Sequence, residues 1–104
     1  MTSVTYPNGY VAHYDETIQI GDLVRTYNKG YHIITAIEDR PQRTPLFSYV
    51  KMYNDDGTRS KKLKSHCDGV YIERAEDHIN KEITTAKQTI SALEGILESL
   101  KPQP

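Results

Sequence analysis

The chain has a single cysteine in 104 residues, so it makes no disulfide with itself. A small chain without such staples reads as one that folds in a reducing compartment, and the cytoplasm is the expected location. No apolar run approaches the ~18 residues that a membrane-spanning helix needs. The opening residues, Met1 to Tyr6, have neither the basic nor the apolar region of an export signal. No membrane partner is expected. Glycine-rich phosphate loops, Gly-x-Ser-x-Gly elbows and His-Glu-x-x-His signatures are also missing, so the motif-bearing enzyme classes have no support and no cofactor is expected. Nor is either sign of charge in excess, with 13 Lys and Arg against 14 Asp and Glu and a net charge of −1. A dedicated nucleic-acid binder shows a much stronger basic bias.

What the chain does contain is enough for one core. Its hydrophobic fraction is 37% and its charged fraction 26%, a composition that excludes wholesale disorder. Charge is uneven along the chain. Residues 17–74 hold ten Lys and Arg against seven acids, while residues 75–104 hold three Lys against five. The middle is mildly basic, which permits a nucleic-acid partner without demanding one.

Up to residue 74 the pattern is that of strands and turns. Val4 to Tyr6 and Tyr10 to Tyr14 flank Pro7-Asn8-Gly9, a turn signal, and predict an N-terminal hairpin. Ile20 to Tyr27 and Tyr31 to Ile37 flank Asn28-Lys29-Gly30 and predict a second hairpin. The stretch 38–45 carries two prolines and no apolar residue, and reads as a surface loop with Arg40 and Arg43 in it. Leu46 to Tyr53 predicts a strand, Asn54 to Gly57 a turn, and Thr58 to Lys64 a short return strand whose lysines guard an edge. Val70 to Ile72 predicts a last strand. Five strands after the hairpin, spaced at about ten residues, suit a small barrel or a twisted antiparallel sheet. The expected class is α+β, mainly β.

Within that pattern, Gly21-Asp22-Leu23-Val24, followed by Gly30 and Ile33-Ile34-Thr35-Ala36-Ile37, resembles the opening strand and hairpin of SH3-like small barrels of the KOW and Tudor type. The resemblance covers about twenty residues. It implies a five-stranded barrel and carries no functional residue with it.

From Ala75 to Lys101 there is no proline and no alternation of the β kind. The apolar residues Ile79, Ile83, Ala86, Ile90, Leu93, Leu97 and Leu100 are spaced alternately by four and three, a heptad seam with Ile83, Ile90 and Leu97 at a, and the others at d. The division is therefore a β domain over 1–74, a helix over 75–101 and a tail over 102–104, with Pro102 stopping the helix. Branched residues at a with leucine at d favour a parallel two-stranded coiled coil, in which Glu82 faces Lys87 of the partner. The same stripe also suits packing on the chain's own barrel. A helix of this length, ~40 Å, is longer than a small barrel can cover, so a homodimer or higher oligomer is expected.

Candidate chemistry is sparse. His66-Cys67-Asp68 sets a thiol beside a base, but neighbours on a strand face opposite sides. Cys67 is expected to be structural, with no catalytic residue. The histidines at 13, 32, 66 and 78 lack paired spacing, so no metal site is expected. Eight tyrosines accompany the basic run Arg59, Lys61, Lys62 and Lys64. Aromatics beside cations on a small barrel can stack bases and neutralise phosphates. Tyr27, Tyr31, Tyr49, Tyr53 and the run from Arg59 to Lys64 are the candidate ligand residues, with Arg40 and Arg43 as second choices. The expected function is a non-enzymatic module that oligomerises through its helix and binds a protein partner as adaptor or inhibitor, a profile that suits an accessory or phage-encoded regulatory protein. The alternative is nucleotide or nucleic-acid binding, including ligand sequestration.

Overall fold

The structure, a computed structural model, describes residues 1–101. Among them are seven strands in two sheets and one long helix, an α+β architecture that is mainly β. The small sheet pairs β1 (Thr2–Thr5) with β2 (Val11–Tyr14), antiparallel, around the expected Pro-Asn-Gly turn. The larger sheet contains β3 (Leu23–Arg25), β4 (Tyr31–Glu38), β5 (Leu46–Tyr53), β6 (Lys64–Asp68) and β7 (Glu73–Arg74), in the antiparallel order β6-β5-β4-β3-β7. Among the described residues the sheet is not a closed barrel, and β6 and β7 are its two edges.

One buried cluster serves this sheet: Ile18, Val24, Ile34, Phe47, Tyr49, Cys67 and Ile72, with Ile37 packed against it. It draws on both edges at once. The N-terminal hairpin lies against the 3₁₀ turn Gly69–Tyr71, with Ala12 fully buried and Tyr6 Oη 3.1 Å from Thr44 Oγ1.

Two strand expectations are corrected. The return strand is Lys64–Asp68 rather than Thr58 to Lys64, where only Arg59 makes an isolated bridge to Tyr53. The reason is the core: the observed register sets Cys67 opposite Phe47 and buries it, whereas Leu63, the one large apolar residue of the expected strand, is exposed. Residues 70–72 hold no strand; Gly69–Tyr71 is a 3₁₀ turn, and the last strand follows at Glu73–Arg74. Ile72 still enters the core.

Helix α1 spans Ala75–Ser99, so its expected start holds and its last turn ends two residues early. The tail over 102–104, with Pro102, lies outside the described residues. Glu76 and Asp77 occupy the first turn, where carboxylates complement the helix dipole. Arg74 ties the helix root to the segment before β3 through Asp15 at 3.3 Å, Asp22 at 3.5 Å and the Thr17 hydroxyl at 2.5 Å. On the other side of the root, Lys81 reaches Glu73 at 2.5 Å, and the pair raises the lysine's pKa.

The β3–β4 turn is held by Asp55. Its carboxylate accepts from Arg25 and from the Gly30 N–H at 2.7 Å, interactions that hold it below the usual carboxylate range. Gly30 has φ +94°, and a Cβ there would lie 2.4 Å from the Tyr53 carbonyl oxygen. Gly9 also has positive φ, +88°, but opens onto free space. Gly30→Ala is therefore expected to cost about 2 kcal/mol or more and Gly9→Ala about 1 kcal/mol, as measured by urea denaturation. Equal losses at the two positions would show that the Tyr53 contact yields.

Candidate functional site

Three surface features are built on this frame. The first is the helix seam. Ala75 is buried against the sheet, and His78 and Ile79 are half-buried; from Asn80 to Leu100 every residue is exposed. The contacts of α1 are with β3 and β7 alone among the major packings, so the sheet covers only its root. Tyr31 Oη lies 3.1 Å from His78 Nδ1, and Ile79 and Ile83 line a groove of about 510 Å³ with Leu23, Tyr31 and Tyr53. The exposed seam runs on from that groove as Ala86, Ile90, Leu93, Leu97 and Leu100.

The second feature is a cleft of about 560 Å³ lined by Tyr27, Arg40, Leu46, His66, Cys67, Asp68 and Tyr71. It lies between the β6 edge and the 3₁₀ turn. Tyr27 and Tyr71, 64% and 56% exposed, meet edge to face with centroids 5.3 Å apart. Main-chain bonds from Lys51 N–H to Leu63 and from Gly69 N–H to Pro45, both 2.9 Å, bracket β6 and turn its odd residues toward β5. The main-chain groups of Lys64, His66 and Asp68 are thereby left on the open edge. Arg40 is tied down by the Thr44 carbonyl at 2.8 Å and by Asp68 at 2.5 Å. Burial pushes the Cys67 thiol up to about 11, with Asp68 adding to the effect and a Tyr49 hydrogen bond opposing it. Such a thiol is almost wholly protonated at neutral pH and is a poor nucleophile.

The third feature is a recess of about 470 Å³ lined by Asn28, Lys29, His32, Tyr49, Lys51, Leu63, Lys64 and Ser65. Its floor is His32, 2% exposed, whose ring stacks edge to face on Tyr49 at 4.6 Å. Asn28 Nδ2 donates to Tyr49 Oη at 2.7 Å and so pins the β3–β4 turn over β5.

The tyrosines and cations singled out by sequence do not form one surface. Tyr31 is buried and bonded to His78, and Tyr49, 1% exposed, has no free face for stacking. Tyr53 is half-buried under the Arg59 guanidinium, 5.4 Å from the ring centroid, and Arg43 lies 5.7 Å over Tyr6. Lys61 and Lys62 are exposed in irregular chain; Lys64 alone of the run joins the recess, while Tyr27 stands in the cleft. Tyr71, Lys29 and Lys51 were not anticipated. Tyr71 carried a weak signal, as a tyrosine between two core-seeking residues, and the lysines carried none.

His32 also sets a pH dependence. Burial, then the charges of Lys51 and Arg25, push its imidazole down from 6.5 to about 4. Below pH 6.5 the unfolded chain therefore takes up a proton that the folded chain does not. The stability conferred by neutral His32 is fully present above pH 6.5 and is lost as pH falls from 6.5 to about 4. The urea midpoint is expected to drop across that window, and His32→Leu to flatten the drop; a profile unchanged by the substitution would remove His32 as its source. No protein-family model, curated protein or solved structure matches this chain.

Proposed function

We propose that this chain is a non-enzymatic binding and assembly module that pairs through its C-terminal helix and takes a protein partner in the Tyr27–Tyr71 cleft. The observation that carries the reading is the bare helix: an apolar heptad seam continues through six more residues beyond Ile79, the last one that the sheet half-covers. Such a seam in water gains by pairing with another of its kind. The cleft supports a protein partner because it combines exposed aromatics with an open strand edge, the two elements of extended-peptide recognition. For the sheet itself, an SH3-like kinship is supported by the last short strand, which follows a 3₁₀ turn and pairs with the first strand of the sheet. That kinship carries no function with it.

The pairing we propose is antiparallel rather than parallel. Ile79, the first seam residue, is half-buried beside its own sheet, and the sheet lies on the seam side of the root. Two bodies side by side at one end would compete for that space. Reversed, the layers become Ile83 on Leu100 of the partner subunit, Ala86 on Leu97 of the partner subunit and Ile90 on Leu93 of the partner subunit. Small Ala86 then meets a large residue instead of its own copy. Lys87 also comes opposite Glu94 of the partner subunit, twice per pair.

Light scattering on the full chain is expected to show a dimer, and Ile90→Asp a folded monomer by circular dichroism; a monomeric wild type would sink the assembly reading. Lys87→Glu is expected to weaken the dimer by roughly tenfold, and the double variant Lys87→Glu/Glu94→Lys to restore it. In a parallel pair Lys87→Glu would face Glu82 of the partner subunit, and the second substitution would give no rescue.

A further inference from the structure

We propose that the recess between Lys29, Lys51 and Lys64 is a binding site for a phosphate group carried on a small molecule. Three elements supply the cations: the β3–β4 turn, β5 and the first residue of β6. None of the three lysines pairs with a carboxylate among the described residues, and no Asp or Glu lines the recess. Lys51 does not extend freely into solvent: its Nζ lies 3.4 Å from where a Gly30 Cβ would stand, folded over the turn that carries Lys29. Asp55 lies near Lys29 but is engaged by Arg25 and the Gly30 N–H, so the ammonium groups of the recess have no paired carboxylate of their own, and an anion among them removes their repulsion while supplying acceptor oxygens.

The floor is an independent sign. His32 Nδ1 is buried and has no hydrogen-bond partner. Leaving a buried polar atom unmatched is costly, so each one in a folded protein calls for a reason, and an ion taken up nearby is one such reason. The buried ring lines the recess together with Asn28 and Ser65, which add neutral polar groups. A recess of about 470 Å³ is the size of a small-molecule site, whereas a nucleic-acid strand needs an open track for successive phosphates. The groups facing His32 are Arg25 from β3, Asn28 and Lys29 from the turn, Tyr49 and Lys51 from β5, and Lys64 and Ser65 from β6. None is acidic, so an anion entering there changes the sign of the local field and raises the imidazole's affinity for a proton.

The site does not depend on helix pairing and stands whether the chain is a monomer or a dimer. Its test is calorimetric titration of the full chain with inorganic pyrophosphate at low ionic strength, beside nuclear magnetic resonance of the His32 ring. Saturable binding at one site per chain is expected, with an upward move of the His32 titration. Lys51→Gln and Lys64→Gln are each expected to weaken binding by about tenfold, while Lys81→Gln, an equal loss of charge on the helix, leaves it unchanged. Three results would overturn the proposal: no saturable binding, equal weakening by Lys81→Gln, or binding of a single-stranded oligonucleotide by a chain that ignores pyrophosphate.

Discussion

Cys67 on one edge strand and Ile72 beside the other belong to the same buried cluster, and that single requirement bends everything else. A flat five-stranded sheet would hold its edges some four strand spacings apart, close to 19 Å. To bring them into one core the sheet must curl, and it curls until the β3–β4 turn reaches Tyr49 through the Asn28 bond. The tyrosine cleft lies where the curled sheet stops short of closing, and the lysine recess lies beneath the turn that the curl folds over. Both features are by-products of how one small apolar cluster is satisfied.

The same cluster explains the bare helix. The core takes only Ala75 from α1 into full burial, and the cluster itself is completed by residues outside the helix, Ile18 and Ile72 among them. Beyond the groove of Leu23, Tyr31 and Tyr53, the 25-residue helix runs past the sheet with every residue exposed. Its stripe therefore remains outside, where burial requires a surface from elsewhere.

The helix was legible in the sequence because its signal is local: spacings of four and three persist without interruption, and no proline intervenes. The N-terminal hairpin and the hairpin around Asn28-Lys29-Gly30 were legible for a similar reason, since turn residues announce themselves within three positions. The return strand was not. Lys61 to Lys64 looks like a guarded edge, yet the pairing is decided by which residue fills the space beside Phe47, and in the observed register that residue is Cys67 while Leu63 stays exposed. Tyrosine hid the site in the same way. Its ring suits a core as well as a surface, so nothing local distinguishes buried Tyr49 from exposed Tyr27. Lys29, Lys51 and Lys64 are brought together by tertiary folding alone, and no spacing records them.

The attachment of α1 has a mechanical consequence. The helix is anchored over little more than its first turn, by Ala75, His78 and Ile79 on the sheet and by Arg74 and Lys81 at the flanks. Its remaining length extends the molecule to 70 Å along its longest axis, against 34 and 20 Å along the others. At a rise of about 1.5 Å per residue, the tip stands roughly 30 Å from the anchor, so one degree of tilt at the root displaces Leu100 by about half an ångström. The helix is a lever with its fulcrum at β3 and β7. In an unpaired chain, a rearrangement of the sheet around Leu23 or Tyr31 is magnified at the far end, and pairing of the seam holds that end in place.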